Sequence, residues 1–167
     1  DYVKENYGSN NIMFLVIEAK DGVIYKKSIL QKIAQLTEDL EMLDNVEEIT
    51  SLSNVDNIVG VEDGMEVNPI FDPDEDIDEN VLVNVKTALA SWDFYKGNII
   101  NEKDNATAIL IEFPKDANIE EKAVLYTDIT KLLDSFPFPE VNLFLAGRPC
   151  VEVELGNYMR EDVKTTV

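Results

Sequence analysis

The sequence predicts an α+β chain of the ferredoxin-like, split β-α-β type, and three observations carry that reading. A strand-helix-strand pattern runs through residues 7–54, and the same order of elements returns at 106–147. Residues match between the two at a nearly constant offset: Ile17-Glu18 with Ile111-Glu112, Lys20-Asp21 with Lys115-Asp116, and Val46 with Val141. Two such units in one small domain predict a four-stranded sheet with two helices on one face. An inserted loop-helix segment, 55–105, separates them, and residues 148–167 follow as a further helix. The whole of 1–167 reads as a single domain.

Each element has its own signal. Residues 12–18, IMFLVIE, form an apolar, partly β-branched run bounded by turn formers, as a buried strand requires. Ile29, Ile33, Leu36, Leu40 and Leu43 recur at helical spacing and predict a helix over about 26–43. VEEITSL, 46–52, follows as a strand after the turn-like Asp44-Asn45. In the insertion, the acidic and turn-rich 60–80 stretch precedes a helix with Val81, Val85, Leu89 and Trp92 as its stripe and Asp78 or Asn80 as N-cap. YKGNIINEKDN, 95–105, predicts a hairpin or loop. TAILIEF, 107–113, is the next strand, and Leu125, Ile129, Leu132 and Phe136 form the next helical stripe. PFPE breaks that helix, and VNLFLAG, 141–147, returns as a strand. Gly147-Arg148-Pro149 is a corner, with Pro149 in the first turn of a helix whose stripe is Val151, Leu155, Tyr158, Met159 and Val163.

Composition excludes several kinds of chemistry. The chain has 167 residues and no histidine, which removes the commonest general base and metal ligand. Its one cysteine, Cys150, allows neither an intrachain disulfide nor a thiolate zinc site, and reads as a small core residue. The net charge of −20 repels nucleic acid and anionic lipid headgroups, so no nucleic-acid partner is expected. No run approaches the ~18 apolar residues of a membrane-spanning helix. Asp1 in place of an initiating Met suggests a chain excised from something longer.

The motifs narrow the field further. Asp72, Asp74, Asp76 and Asp78 alternate like a calcium loop, but the glycine and the final glutamate of that motif are missing, so a solvated acidic loop and no metal are expected. No Gly-rich phosphate cradle is present, and no cofactor is expected. Carboxylate chemistry is the only catalysis left open, and the chain is not expected to be an enzyme. The aromatics Trp92, Phe94 and Tyr95, with Ile70 and Phe71, are candidates for an apolar substrate-facing or inter-domain surface. The competing reading has them anchor the insertion to the sheet.

Four segments carry a family resemblance: YGSNNIMFLVIEA, TEDLEMLDNVEEITSLSNVDNIVGVEDGMEVNPIF, DFYKGNIINEKDNATAILIEF and FLAGRPCVEVELGNYMREDV. In this order, across residues 7–163, they resemble the first extracytoplasmic loop of RND-superfamily exporters, of the hydrophobe/amphiphile efflux-3 branch related to the MmpL lipid exporters. Cys150 stands where an aliphatic residue is more usual in that family. The resemblance implies a porter-type soluble domain on the extracytoplasmic (periplasmic) side of a membrane. Its partners would be the transmembrane helices and the second extracytoplasmic loop of the same full-length chain, an apolar or amphiphilic substrate, and further copies where it forms a homo-oligomer. It also implies that Gly147 and Pro149 form the hinge to the next transmembrane helix. A free-standing ferredoxin-like module that senses a small ligand is the alternative expectation.

Overall fold

The structure, a computed structural model, describes the backbone of residues 11–166 and the side chains of 11–156 and Met159. The expected start of the first unit at residues 7–10, and the side chains of Tyr158 and Val163, lie outside the described residues. The elements in order are β1 (Ile12–Ala19), α1 (Lys27–Glu41), β2 (Glu48–Thr50), β3 (Asp56–Val61), β4 (Gly64–Pro69), α2 (Glu79–Ser91), β5 (Ala106–Glu112), α3 (Ile119–Asp134), β6 (Val141–Ala146) and α4 (Arg148–Thr166).

Four strands form one antiparallel sheet in the order β2-β5-β1-β6. Each β-α-β unit is therefore split by a strand of the other, as the ferredoxin-like topology demands. Leu15 faces Ile109 directly, and their sequence separation equals that of the matched pair Ile17 and Ile111. A pseudo-twofold axis thus passes between Leu15 and Ile109, which is the geometric form of the repeat.

Alternation along the strands builds the core. Met13, Leu15 and Ile17 lie opposite Ile111, Ile109 and Thr107, and all six are buried. Against them α1 buries Ile29, Leu30, Ile33, Leu36 and Leu40, and α3 buries Leu125 and Ile129. Burial of this apolar face is what holds two amphipathic helices on the sheet. Its polar side chains are partnered: the Thr37 hydroxyl donates to the Ile33 carbonyl at 2.7 Å and shares a hydrogen bond with Ser51 Oγ at 2.8 Å, and the Thr107 hydroxyl donates to the Ile99 carbonyl at 2.7 Å. The second sheet face is more open, and Phe144 on β6 is 51% exposed.

Caps set the helix starts. Asp78 accepts the Val81 N–H at 2.9 Å and begins α2. Asn118 and Glu121 form a reciprocal capping box at the start of α3. The strand expected over 46–52 is only Glu48–Thr50, because Ser51 donates its N–H to Asn54 Oδ1 at 2.8 Å and the chain turns there.

One expectation needs correction. The acidic first part of the insertion is not merely loop: β3 and β4 form a two-stranded ribbon closed at Glu62-Asp63, with Gly64 at φ 150. On the last helix, the described members of the expected stripe face away from the domain. Val151, Leu155 and Met159 are 61%, 56% and 62% exposed, and α4 instead packs through Cys150 and Val153. Its first turns rest beside α3, where Lys122 pairs with Glu152 at 3.3 Å and the Tyr126 hydroxyl donates to Glu154 at 2.9 Å.

Candidate functional site

The five apolar residues singled out in the sequence separate into three environments. Ile70 and Phe71 follow β4 into the core, 8% and 4% exposed, where they join Val55, Ile77, Val85 and Leu89. Phe94 and Tyr95 are half-buried and meet edge to face at 5.6 Å between ring centres. Tyr95 donates its hydroxyl to the Asp56 carbonyl at 2.7 Å and so fastens the foot of the ribbon. Trp92, the residue that ends α2, is 37% exposed. Most of the cluster therefore anchors the insertion, and Trp92 offers the solvent-facing ring.

Ile70 also contributes to a groove of about 590 Å³ between β3 and α2. Asn57, Ile58, Val59 and Gly60 form one wall. Asn84, Thr87, Ala88 and Ser91 form the other, spaced so that they share one helix face. Beside it the ribbon exposes Ile58, Val59, Val61, Met65 and Val67. Sequence reasoning missed this ribbon, although Asp63-Gly64 between alternating apolar residues is a hairpin signal.

The titratable groups are arranged for structure. Asp104, in left-handed conformation at φ 56, accepts from the Tyr25 hydroxyl at 3.0 Å and from Lys96 Nζ at 2.9 Å. Burial works against its charge, but the Lys96 and Tyr25 hydrogen bonds outweigh that and hold its carboxyl below the usual range. Tyr25 is pushed well above the ordinary phenol value, first by burial and then by Asp104. This network ties the start of α1 to the return of the insertion.

Cys150 is buried and its thiol is pushed up to about 11, first by burial and then by Glu154, so it stays a protonated, unreactive thiol. In the acidic loop, Asp72 accepts the Asp74 N–H, Asp76 pairs with Lys27 at 2.6 Å, and Asp78 caps α2. Among the described residues no three acidic or thiol groups converge as a metal site.

Gly147 sits at the corner between β6 and α4 with φ 109. A side chain there would meet the Ile12 carbonyl oxygen at 2.8 Å, so glycine is what lets α4 leave the sheet so close to β1. Pro149 is buried within the first turn of α4, where its missing N–H leaves no intrahelical bond unmade. Comparison with protein-family models and with curated proteins finds no match to this chain.

Proposed function

We propose that this chain is an extracytoplasmic, porter-type domain of a proton-driven RND-type exporter. In this reading it binds or relays an apolar or amphiphilic molecule and performs no catalysis of its own. The observation that carries the reading is the exposed stripe of Val151, Leu155 and Met159 on α4. Three large apolar side chains recur on one helical face that the described part of the domain leaves uncovered, the pattern of a helix that packs against something else. Gly147 and Pro149 are the pivot of that helix, and its partners are the transmembrane helices and the second soluble loop of the same polypeptide. The ferredoxin-like sandwich and the solvent-facing Trp92 suit a binding module.

The test has two parts. The coding sequence on either side should specify apolar segments of about 20 residues, long enough to span a bilayer. A soluble protein on both sides would overturn the proposal. In the second part, the purified domain is titrated with a zwitterionic detergent below its micelle concentration while Trp92 fluorescence is followed. A saturable blue shift is expected, and an unchanged spectrum at every concentration counts against the handling of amphiphiles.

A further inference from the structure

The groove beside β3 has the makings of a strand-acceptor site. Four consecutive β3 residues line it and no β4 residue does, so it lies along the edge of the ribbon and not over its face. The direction of the backbone follows from one hydrogen bond. The Asp56 carbonyl accepts from Tyr95, which lies outside the β3-β4 ladder. In an antiparallel pair, the N–H and C=O of one residue point to the same side, and the side alternates along the strand. Asp56, Ile58 and Gly60 therefore aim their backbone groups away from β4. Asn57, Val59 and Val61 pair inward with Asn68, Glu66 and Gly64. Among the described residues, the outward backbone groups of Ile58 and Gly60 take no partner.

We propose that the Ile58–Gly60 edge, facing α2, accepts an extended segment of another protein as a third strand of the ribbon, and that this segment alternates apolar and basic residues. Main-chain bonds to Ile58 and Gly60 would supply the register, as in other cases of strand addition. The apolar half of the pattern answers the ribbon face that carries Ile58, Val67 and Met65, all exposed. Opposite β3, the wall of Asn84, Thr87, Ala88 and Ser91 is small and uncharged, so a backbone can come close.

Charge selects the occupant. Residues 56–69 carry Asp56, Glu62, Asp63 and Glu66 and no lysine or arginine. A second copy would bring another chain of −20 to the same place, whereas a basic strand is attracted. This inference goes beyond the transport reading and does not depend on it, since the edge is present whatever the parent protein does.

The test uses the whole chain and a capped heptapeptide of alternating lysine and valine. Two control peptides accompany it: a glutamate–valine version, and a lysine–valine version N-methylated along one edge. Saturable binding is expected for the first peptide, with slowed amide exchange at Ile58 and Gly60. It should weaken by about tenfold for the N-methylated twin, which keeps the charge but loses edge hydrogen bonds. The glutamate–valine peptide should not bind. Ile58→Pro removes an outward N–H without touching the ladder, and should weaken binding by about tenfold while the Asn57 and Val59 amides stay protected. Ser91→Arg places bulk and positive charge on the opposite wall and should also abolish binding, independently of any effect on the ribbon. Equal binding by the N-methylated peptide would reduce the effect to bulk charge and overturn the proposal. So would full binding by both variants, absence of binding altogether, or protection of Ile58 and Gly60 that appears with rising protein concentration alone, which would make the occupant a second copy.

Discussion

Replacing Gly147 by alanine tests the close passage of α4 over β1. Two costs combine at this position. The backbone is at φ 109, a region where an L side chain is disfavoured by about 1–2 kcal/mol. The new methyl would also lie 2.8 Å from the Ile12 oxygen, 3.3 Å from Phe14 Cδ2 and 3.4 Å from Met13 Cα. Ile12 and Met13 are buried in the central strand β1, so they cannot move aside cheaply, and such overpacking costs about 1–3 kcal/mol more. The expected loss is therefore about 2–5 kcal/mol, a large part of the about 5–15 kcal/mol that typically holds a small domain together. Gly97 provides the matched control. It has φ 87 with nothing within 4 Å of the added methyl, so Gly97→Ala should show the backbone cost alone, about 1–2 kcal/mol. Gly156→Ala, inside α4 with open space around it, should instead gain helicity, worth about 0.8–1 kcal/mol locally. Urea unfolding of the first two, and far-ultraviolet circular dichroism of the third, read these effects. The reasoning fails if Gly147→Ala costs no more than Gly97→Ala.

Other consequences are equally direct. Glu112 faces Glu48 across β5 and β2, and its carboxyl is raised above the usual range, first by burial and then by Glu48 and Glu47. The folded state thus binds this proton more tightly than the unfolded chain, so the group costs stability as pH rises from the ordinary carboxylate value through the raised one. Glu112→Gln should unfold at higher urea than the parent at neutral pH, by about 0.2–1 kcal/mol, with the two converging below about pH 4. Thr37→Val should cost about 0.5–1.5 kcal/mol in urea unfolding, since it removes a buried hydrogen bond and leaves the Ser51 hydroxyl with Ser53 as its side-chain partner. Asn118→Ala breaks the capping box of α3 and should cost about 1 kcal/mol, measured as a lowered thermal midpoint.

The sandwich was legible because its signals are local and redundant. β1, β5 and β6 are short apolar runs between turn formers, and the α1 stripe at Ile29, Ile33, Leu36 and Leu40 repeats at helical spacing. What escaped was whatever depended on a partner. The β3-β4 ribbon has no buried face of its own, so its alternation is diluted by acids and its turn residues read as loop. The stripe at Val151, Leu155 and Met159 was seen, but periodicity says only that residues share a face, not that the same chain covers it. Ile70 and Phe71 are adjacent in sequence and both buried, which neither a helical nor a strand period predicts. They sit where β4 runs out and the chain turns in toward the core. The groove between β3 and α2 was beyond reach for the same reason, because it exists only once the ribbon does.

The axis between Leu15 and Ile109 has a bearing on how this chain could change. The central pairing of the sheet joins segments that lie on opposite sides of the insertion, so the insertion serves as a loop that this pairing must close. Closure entropy grows only with the logarithm of loop length, and doubling the loop costs about 0.6 kcal/mol. The two halves can therefore keep their symmetric frame while the segment strung between them lengthens, shortens or exchanges its contents at little thermodynamic cost. Divergence among proteins built on this frame should accumulate at 55–105, where specificity can be rewritten without refolding the sheet.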